Sequence, residues 1–376
     1  MRPVYYLVSP AGIPNYGDEL IAMTWLRHLA EVAPDAEVVV DCIGPEAAAA
    51  RMGGVHPRAR FLNGLWQLCV LHWSPDPART AEAVAGAVRD PDRFPEQAGA
   101  LRELRRADVV HLVGGGFINA IWAPFAGLLA GIVTATGLSS GLAAMTGQGL
   151  WPPAEGASDL IRSLAAGFAV VDVRDAASAG LLGAEPAAQS CDDVFLGFGP
   201  GLLRADDAPD VMVSAQSLLA DDDPAELISF FAEVVRAWGA TEVGLLECAP
   251  DQDGAVLELA RRTLPGARSY SMAQVLAEGL PVRPGQAWLT TRFHPHLVAA
   301  AGGASGVALS IRPDYYGTKH RSLTDGGSNW QLLDGLGGPG GTEIPDRPQG
   351  GGYPPQTLER LRAAKRAVAG RIYGAR

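Results

Sequence analysis

Three things are scarce in this 376-residue chain: cysteine, basic charge and, over one long stretch, charge of either sign. Cys42, Cys69, Cys191 and Cys248 lie far apart and share no metal-ligand spacing, so no metal site is expected and the thiols read as reduced, partly buried groups of a cytoplasmic protein. Thirty Lys and Arg stand against 41 Asp and Glu, a formal net charge of -11. The broad basic face of a nucleic-acid-binding surface is therefore missing, although a few Arg and Lys in a cleft can still focus a local field. The opening Met1–Leu7 is too short an apolar run for a signal peptide and reads as a first strand. No Asp, Glu, Lys or Arg occurs between Asp108 and Glu155. The core of that stretch, Ile121 to Leu138, has the length of a membrane span. Pro124, several Gly and Thr, and the absence of basic flanks favour a buried helix between two parallel strands instead. No transmembrane segment is expected, and peripheral membrane contact stays open. The chain has no repeat at solenoid spacing. It also lacks the spaced Gly-x-Gly-x-x-Gly fingerprint and its acidic partner, which speaks against a nicotinamide cofactor.

What is present is alternation. Val4–Val8, Val38–Cys42, Val109–Val113, Ala143–Thr146 and Phe168–Val173 read as strands. Gly17–Ala33, Phe94–Ala107, Asp159–Ala166 and Asp175–Leu182 read as helices. Pro45–Pro77 reads as irregular, with a strand near Phe61 and two tryptophans, Trp66 and Trp73. After the polar break Asp206–Asp210 the same grammar restarts. Strands are expected at Val211–Ala215, Val243–Leu246, Ala287–Thr291 and Val307–Ile311. Helices are expected at Ala225–Trp238, Gly254–Thr263, Met272–Glu278 and His294–Ala301. Gly326–Gly352 reads as a loop and Pro355–Tyr373 as a closing helix, basic on one face. Such alternation implies parallel sheets covered by helices. The expectation is α/β, with two Rossmann-like domains facing each other across a cleft. The boundaries are 1–205, 206–345, and 346–376 for the C-terminal loop and closing helix.

Chemistry-bearing residues gather where these strands end. Asn15-Tyr16-Gly17-Asp18-Glu19 joins the first strand to the first helix. Its carboxylates either cap the helix or face the cleft. Gly114-Gly115-Gly116 and Gly147-Gln148-Gly149 are strand-end loops, either simple turns or places of close approach by a ligand. Arg174 ends one strand beside a helix N-terminus, an anion-site position. Asp192-Asp193 reads as a plain turn. Arg292 and His294 end the Ala287 strand, and Lys319 follows the next one. A guanidinium matches a carboxylate or phosphate bidentately, Lys adds a point charge, and His moves a proton near neutral pH. His296 and His320 stand beside them as bystanders.

Taken in order, these motifs resemble the polysaccharide pyruvyl transferase family. The matching elements are Asn15–Glu19, Gly114–Gly116, Thr146–Gly149, Val173–Ser178, Asp192–Phe195, Thr291–His294 and Lys319, spanning about residues 4 to 320. Pro295 and His296 after the Arg-x-His element, and the Tyr315–Thr318 loop, depart from the family's pattern. The resemblance implies a fold like that of GT-B glycosyltransferases. It implies transfer of a pyruvyl group from phosphoenolpyruvate to hydroxyls of a sugar or glycan, forming a cyclic ketal, with no cofactor or metal. Arg174, Arg292 and Lys319 would compensate the donor's charge of about minus three. His294, with Asp18 or Glu19, would handle protons. Asn15, Gly17, Gly115, Gly116 and Gln148 would meet the acceptor, with Trp66, Trp73 or Trp122 as stacking faces. The alternatives are a nucleotide-sugar glycosyltransferase on the same architecture, with Glu247 as ribose-binding carboxylate, and an inactive carbohydrate-binding relative.

Overall fold

The computed structural model describes residues 2–183, 189–216, 223–312, 317–336 and 343–374. The chain forms two compact units. One comprises Met1–Ile13, Asp18–Gly197 and Leu361–Arg376, and the other Pro14–Gly17 and Phe198–Arg360.

The first unit is built on β1 (Val4–Val8), β2 (Glu37–Asp41), β3 (Ala59–Leu62), β4 (Val109–Leu112), β5 (Leu142–Gln148) and β6 (Val170–Val173). All pair in parallel, in the order β3-β2-β1-β4-β5-β6. β1, β2 and β4 are near-continuous apolar runs because both faces of a parallel sheet are covered. In register, Tyr6 lies between Val39 and Val110. The covering helices are α1 (Tyr16–Val32), α2 (Pro45–Met52), α3 (Leu65–Leu71), α4 (Pro77–Arg89), α5 (Ala98–Arg105), α6 (Ala126–Ser139), α7 (Ala157–Ala165) and α8 (Ala176–Leu182). The charge-free stretch becomes a 3-10 turn, Ala120–Phe125, capped by Asn119, followed by α6. By length and composition this segment is apolar enough to cross a membrane. It is instead the expected helix between β4 and β5, packed along α4 with most of its side chains buried.

The second unit repeats the plan. Its strands are β7 (Leu203–Arg204), β8 (Val211–Ser214), β9 (Val243–Leu246), β10 (Arg268–Tyr270), β11 (Leu280–Pro281), β12 (Ala287–Thr290), β13 (Ser305–Ser310) and β14 (Gln331–Asp334). The main sheet is parallel in the order β10-β9-β8-β12-β13-β14, the same permutation as in the first unit, and β7 pairs with β11 apart from it. Its helices are α9 (Pro224–Ala237), α10 (Pro250–Thr263), α11 (Met272–Glu278), α12 (Phe293–Ala301) and α13 (Thr318–Asp325). Helix α14 (Pro355–Tyr373) closes the chain. In each sheet the order reverses direction beside the first strand, the switch point where open α/β sheets bind ligands.

The structure differs from the sequence reading in several places. Pro45–Pro77 is not irregular, because it carries α2, β3 and α3. The loop expected at Gly326–Gly352 contains β14, and 337–342 lie outside the described residues. The units divide at Gly197/Phe198 rather than at 205/206, because β7 pairs with β11 of the second unit. From Leu361 onward α14 belongs to the first unit, where Lys365, Val368 and Ile372 are buried. The expected basic face of α14 therefore loses Lys365 to the interior.

Candidate functional site

The strand ends of the first unit are tied together by a buried charged network. Lys365 is 0% exposed, with Nζ 2.6 Å from Asp172 Oδ2 and 2.9 Å from Asp193 Oδ1. Burial pulls its pKa down, yet the two carboxylates outweigh that and hold the ammonium above its ordinary value. Asp193 Oδ2 also accepts from Gly114 N (2.8 Å), Thr146 Oγ1 (2.6 Å) and Trp25 Nε1 (2.6 Å). Asp172 accepts from Gly147 N at 3.0 Å. A Cβ on Gly114 or Gly147 would collide with Asp193, so these glycines admit an internal carboxylate. Since the Thr146 hydroxyl donates to Asp193, its oxygen accepts from His111 Nε2, 2.8 Å away. His111 Nδ1 then accepts from the Tyr373 hydroxyl at 2.8 Å. Burial holds His111 down at about 3, so the ring is neutral. Asp193 is thus a hub rather than the plain turn expected. Asp192 caps the turn at Val194 N and accepts from Arg174 Nη1 at 3.1 Å.

The first unit also carries the predicted residues Arg174, Gln148, Gly115, Gly116, Asp18 and Glu19. The Arg174 guanidinium is buried against Gly149, where a Cβ would come within 2.9 Å of it. Gln148 is fully buried and donates to Val113 O (2.6 Å) and Thr146 O (3.2 Å), while its Oε1 has no partner among the described residues. Gly115 packs on Phe117, and the Gly116 carbonyl accepts from Asn119 Nδ2. Asp18, in the first turn of α1, is half-buried. Glu19 is fully buried and accepts from Gly12 N and from the Arg51 guanidinium. Burial raises its pKa despite these partners. It holds the turn after β1, which leaves Asp18 as the reachable carboxylate of the pair. Trp66 is sealed in the core and is no stacking platform, whereas Trp73 is exposed and Trp122 half-buried.

The strand ends of the second unit bring together Arg292, His294 and part of the Asn15 loop. Arg292 sits between β12 and α12, and its Nη2 donates to Asp253 Oδ1. The other oxygen of Asp253 accepts from Cys248 N (3.0 Å) and Ala249 N (2.8 Å), so this buried carboxylate fixes both the loop after β9 and the guanidinium. Arg292 Nε is buried with no acceptor among the described residues. Pro14–Gly17, expected with the first domain, clusters here because Tyr16 N donates to Cys248 O at 2.8 Å and the His294 ring lies directly on Gly17. A Cβ on Gly17 would stand 1.8 Å from His294 Nδ1, so only glycine fits. Asn15 Oδ1 accepts from Gly17 N. Lys319 is half-buried in the first turn of α13, next to buried His320. Tyr315 and Tyr316 lie outside the described residues. A separate cavity of about 210 Å³ opens at the ends of β9 and β10, lined by Glu247, Arg261, Tyr270, Ser271 and Gln274 among others.

Sequence reasoning did not find Asp253 or Lys365. Asp253 had a weak signal, an acidic residue in the first turn of a helix at a strand end. Lys365 had none.

Two units, each built on a parallel sheet with this repeated strand order, define a two-domain α/β fold of the GT-B type. Solved structures carry the same fold. Anabaena Alr3699/HepE in complex with UDP-glucose matches with a TM-score of 0.52 at 12% identity, over 98% of this chain and 95% of that one. The UDP-GlcNAc 2-epimerase of Neisseria meningitidis bound to UDP-GlcNAc matches with a TM-score of 0.50 at 10% identity, over 100% and 93%. S. aureus MnaA with UDP matches with a TM-score of 0.50 at 12% identity, over 100% and 90%. None of the curated proteins matches significantly. The chain belongs to the polysaccharide pyruvyl transferase family, whose profile matches residues 15–237. That stretch takes in Arg174 and the glycine loops and stops before Arg292, His294 and Lys319.

Proposed function

We propose that the protein transfers a pyruvyl group from phosphoenolpyruvate to two hydroxyls of a sugar or glycan, forming a ketal and releasing phosphate. The observation that carries this reading is Arg292. It is held rigid by Asp253 at a strand end, with its Nε–H uncommitted in a buried setting and His294 two residues on. A preorganised guanidinium of this kind recognises a carboxylate or phosphate oxygen. Lys319 and Arg174 are the further cations of the reading, and Asp18, Asn15, Gly115, Gly116 and Gln148 its acceptor side. Chemically, a proton adds to the methylene carbon of the donor and leaves an electrophilic carbon beside the carboxylate. One hydroxyl adds there and loses its proton. The second displaces phosphate, its proton leaving with the anion. His294 is the proton carrier of the scheme and Asp18 the base. His294→Gln should lower turnover roughly 100-fold while donor binding persists. Turnover equal to wild type, measured as acceptor-dependent phosphate release, rejects that role.

A second reading is a nucleotide-sugar transferase. The solved structures of like fold lean toward it, since they hold UDP, UDP-GlcNAc and UDP-glucose. In this chain its support is Glu247, half-buried at the end of β9 in the cavity with Tyr270 and Ser271. The second strand end of a Rossmann unit is where an acidic residue takes ribose hydroxyls. Thermal-shift titration separates the two readings: stabilisation by phosphoenolpyruvate, lost in Arg292→Ala, supports the first. Stabilisation by a nucleotide sugar, lost in Glu247→Gln, supports the second.

A further inference from the structure

Two histidines that the proposed chemistry leaves aside are fully buried in the second unit. His320 Nε2 lies 3.4 Å from the Thr291 carbonyl, and the two Nδ1 atoms of His320 and His296 lie 3.1 Å apart. His296 Nε2 lies 2.9 Å from Ser328 Oγ. Both rings are neutral, because burial drives each pKa down: His296 well below its ordinary value and His320 to about 4. Each ring therefore carries one proton, and the partners dictate where. The Thr291 carbonyl only accepts, so His320 is protonated at Nε2 and bare at Nδ1. His296 must then donate from Nδ1, which leaves its Nε2 to accept from the Ser328 hydroxyl. No other placement of two protons satisfies all three contacts.

We propose that Ser328, His296 and His320 are positioning residues. They form a one-way hydrogen-bond chain that fixes the peptide before Arg292 and His294 relative to the helix turn carrying Lys319. The chain links α12, α13 and the segment before β14, and it ends on the carbonyl of the residue preceding Arg292. His296 follows Arg292 by one helical turn, and its N–H reaches the Arg292 carbonyl at 3.4 Å. The ring of His296 is stacked on Trp330 at 4.5 Å and 10°, and on His320 at 5.4 Å and 22°. Apolar residues would fill this space without leaving polar groups to satisfy, but none would hold the Thr291 carbonyl. This inference rests on the reading of Arg292, His294 and Lys319 as the reacting site.

The test is nitrogen-15 NMR of the full chain labelled at histidine, with phosphate-release kinetics beside it. The expected result is His320 as the Nε2–H tautomer and His296 as the Nδ1–H tautomer, both neutral at pH 5.5. Ser328→Ala and His320→Leu should shift the His294 ring resonances and lower kcat roughly tenfold or more, by misplacing the reacting groups. His320→Gln keeps an amide N–H for the Thr291 carbonyl and should recover most of the loss. If His320→Leu does not fold, Ser328→Ala, which deletes one oxygen, decides. Opposite tautomers, or His294 resonances unchanged in folded Ser328→Ala, overturn the proposal. Should the wild-type chain release no phosphate from phosphoenolpyruvate, the proposed function falls, while the tautomers and the His294 resonances still judge the chain.

Discussion

The two units share a strand order and differ in how the strand ends are held. In the first, a hydrogen-bond chain runs from Tyr373 through His111 and Thr146 to Asp193, and terminates on charge, since Asp193 and Asp172 share Lys365. In the second, the chain runs from Ser328 through His296 and His320 and terminates on a peptide carbonyl. The charged terminus ties two strand ends, one at Gly114 and one at Thr146 and Gly147, to a residue from the far end of the chain. The neutral terminus fixes one loop, the one carrying Arg292 and His294. A buried ion network resists small displacement, because breaking it strands a charge. A neutral chain leaves no charge behind when it is broken, so cutting it costs less.

The largest effect should come from cutting the charged terminus. Lys365→Met keeps the length and the apolar stem but leaves Asp172 and Asp193 buried without a counter-charge. The expected loss is about 3–5 kcal/mol, read as a drop in the urea midpoint. A loss below about 1 kcal/mol would mean that the two carboxylates are satisfied by their N–H and hydroxyl donors alone.

Acid should expose the neutral chain next. His320 has a folded pKa of about 4 and an ordinary value of 6.5. Between these values the unfolded chain binds a proton that the folded chain refuses. The stability is therefore complete above pH 6.5 and is lost as pH falls through the folded value. The contribution is on the order of 3 kcal/mol. His111, held at about 3, acts in the same sense in the first unit. His320→Gln cannot titrate, so its urea midpoint should fall less than that of wild type between pH 7 and pH 4.5. Equal slopes would show that His320 is protonated in the fold at little cost.

What could be read beforehand follows from range. β12 and α12, α11 and α14 announce themselves through local periodicity, and the Arg292-x-His294 element lies within one turn. Short strands at or near the sheet edges, β10 and β14, carry too few apolar residues to stand out. The β1–α1 loop looks like one piece in sequence, yet the contacts divide it: Gly17 packs on His294 while Glu19 packs on Arg51. Lys365 could not be found at all, because a basic residue on a terminal helix normally faces solvent. Only the meeting with Asp172 and Asp193, 193 and 172 residues away, makes its burial tolerable. The partners of Arg174 and Arg292 lie 18 and 39 residues off, beyond any local pattern.

The last contrast is between those two arginines, each held by a buried aspartate. Removing Arg292 leaves Asp253 with two backbone donors, Cys248 N and Ala249 N, so the carboxylate stays hydrogen-bonded. Removing Arg174 leaves Asp192, beside its cap bond to Val194 N, without that cation. Arg292→Ala should therefore still fold, at some cost in stability for the buried Asp253, and its larger effect should fall on ligand affinity. The expected weakening of phosphoenolpyruvate binding is about 2 kcal/mol, a desolvated charged contact. Arg174→Ala should show a mixed loss, part stability and part affinity. Calorimetry beside urea unfolding on both variants separates the two quantities. Full donor affinity in folded Arg292→Ala would remove Arg292 from the site and leave Asp253 holding a purely structural cation.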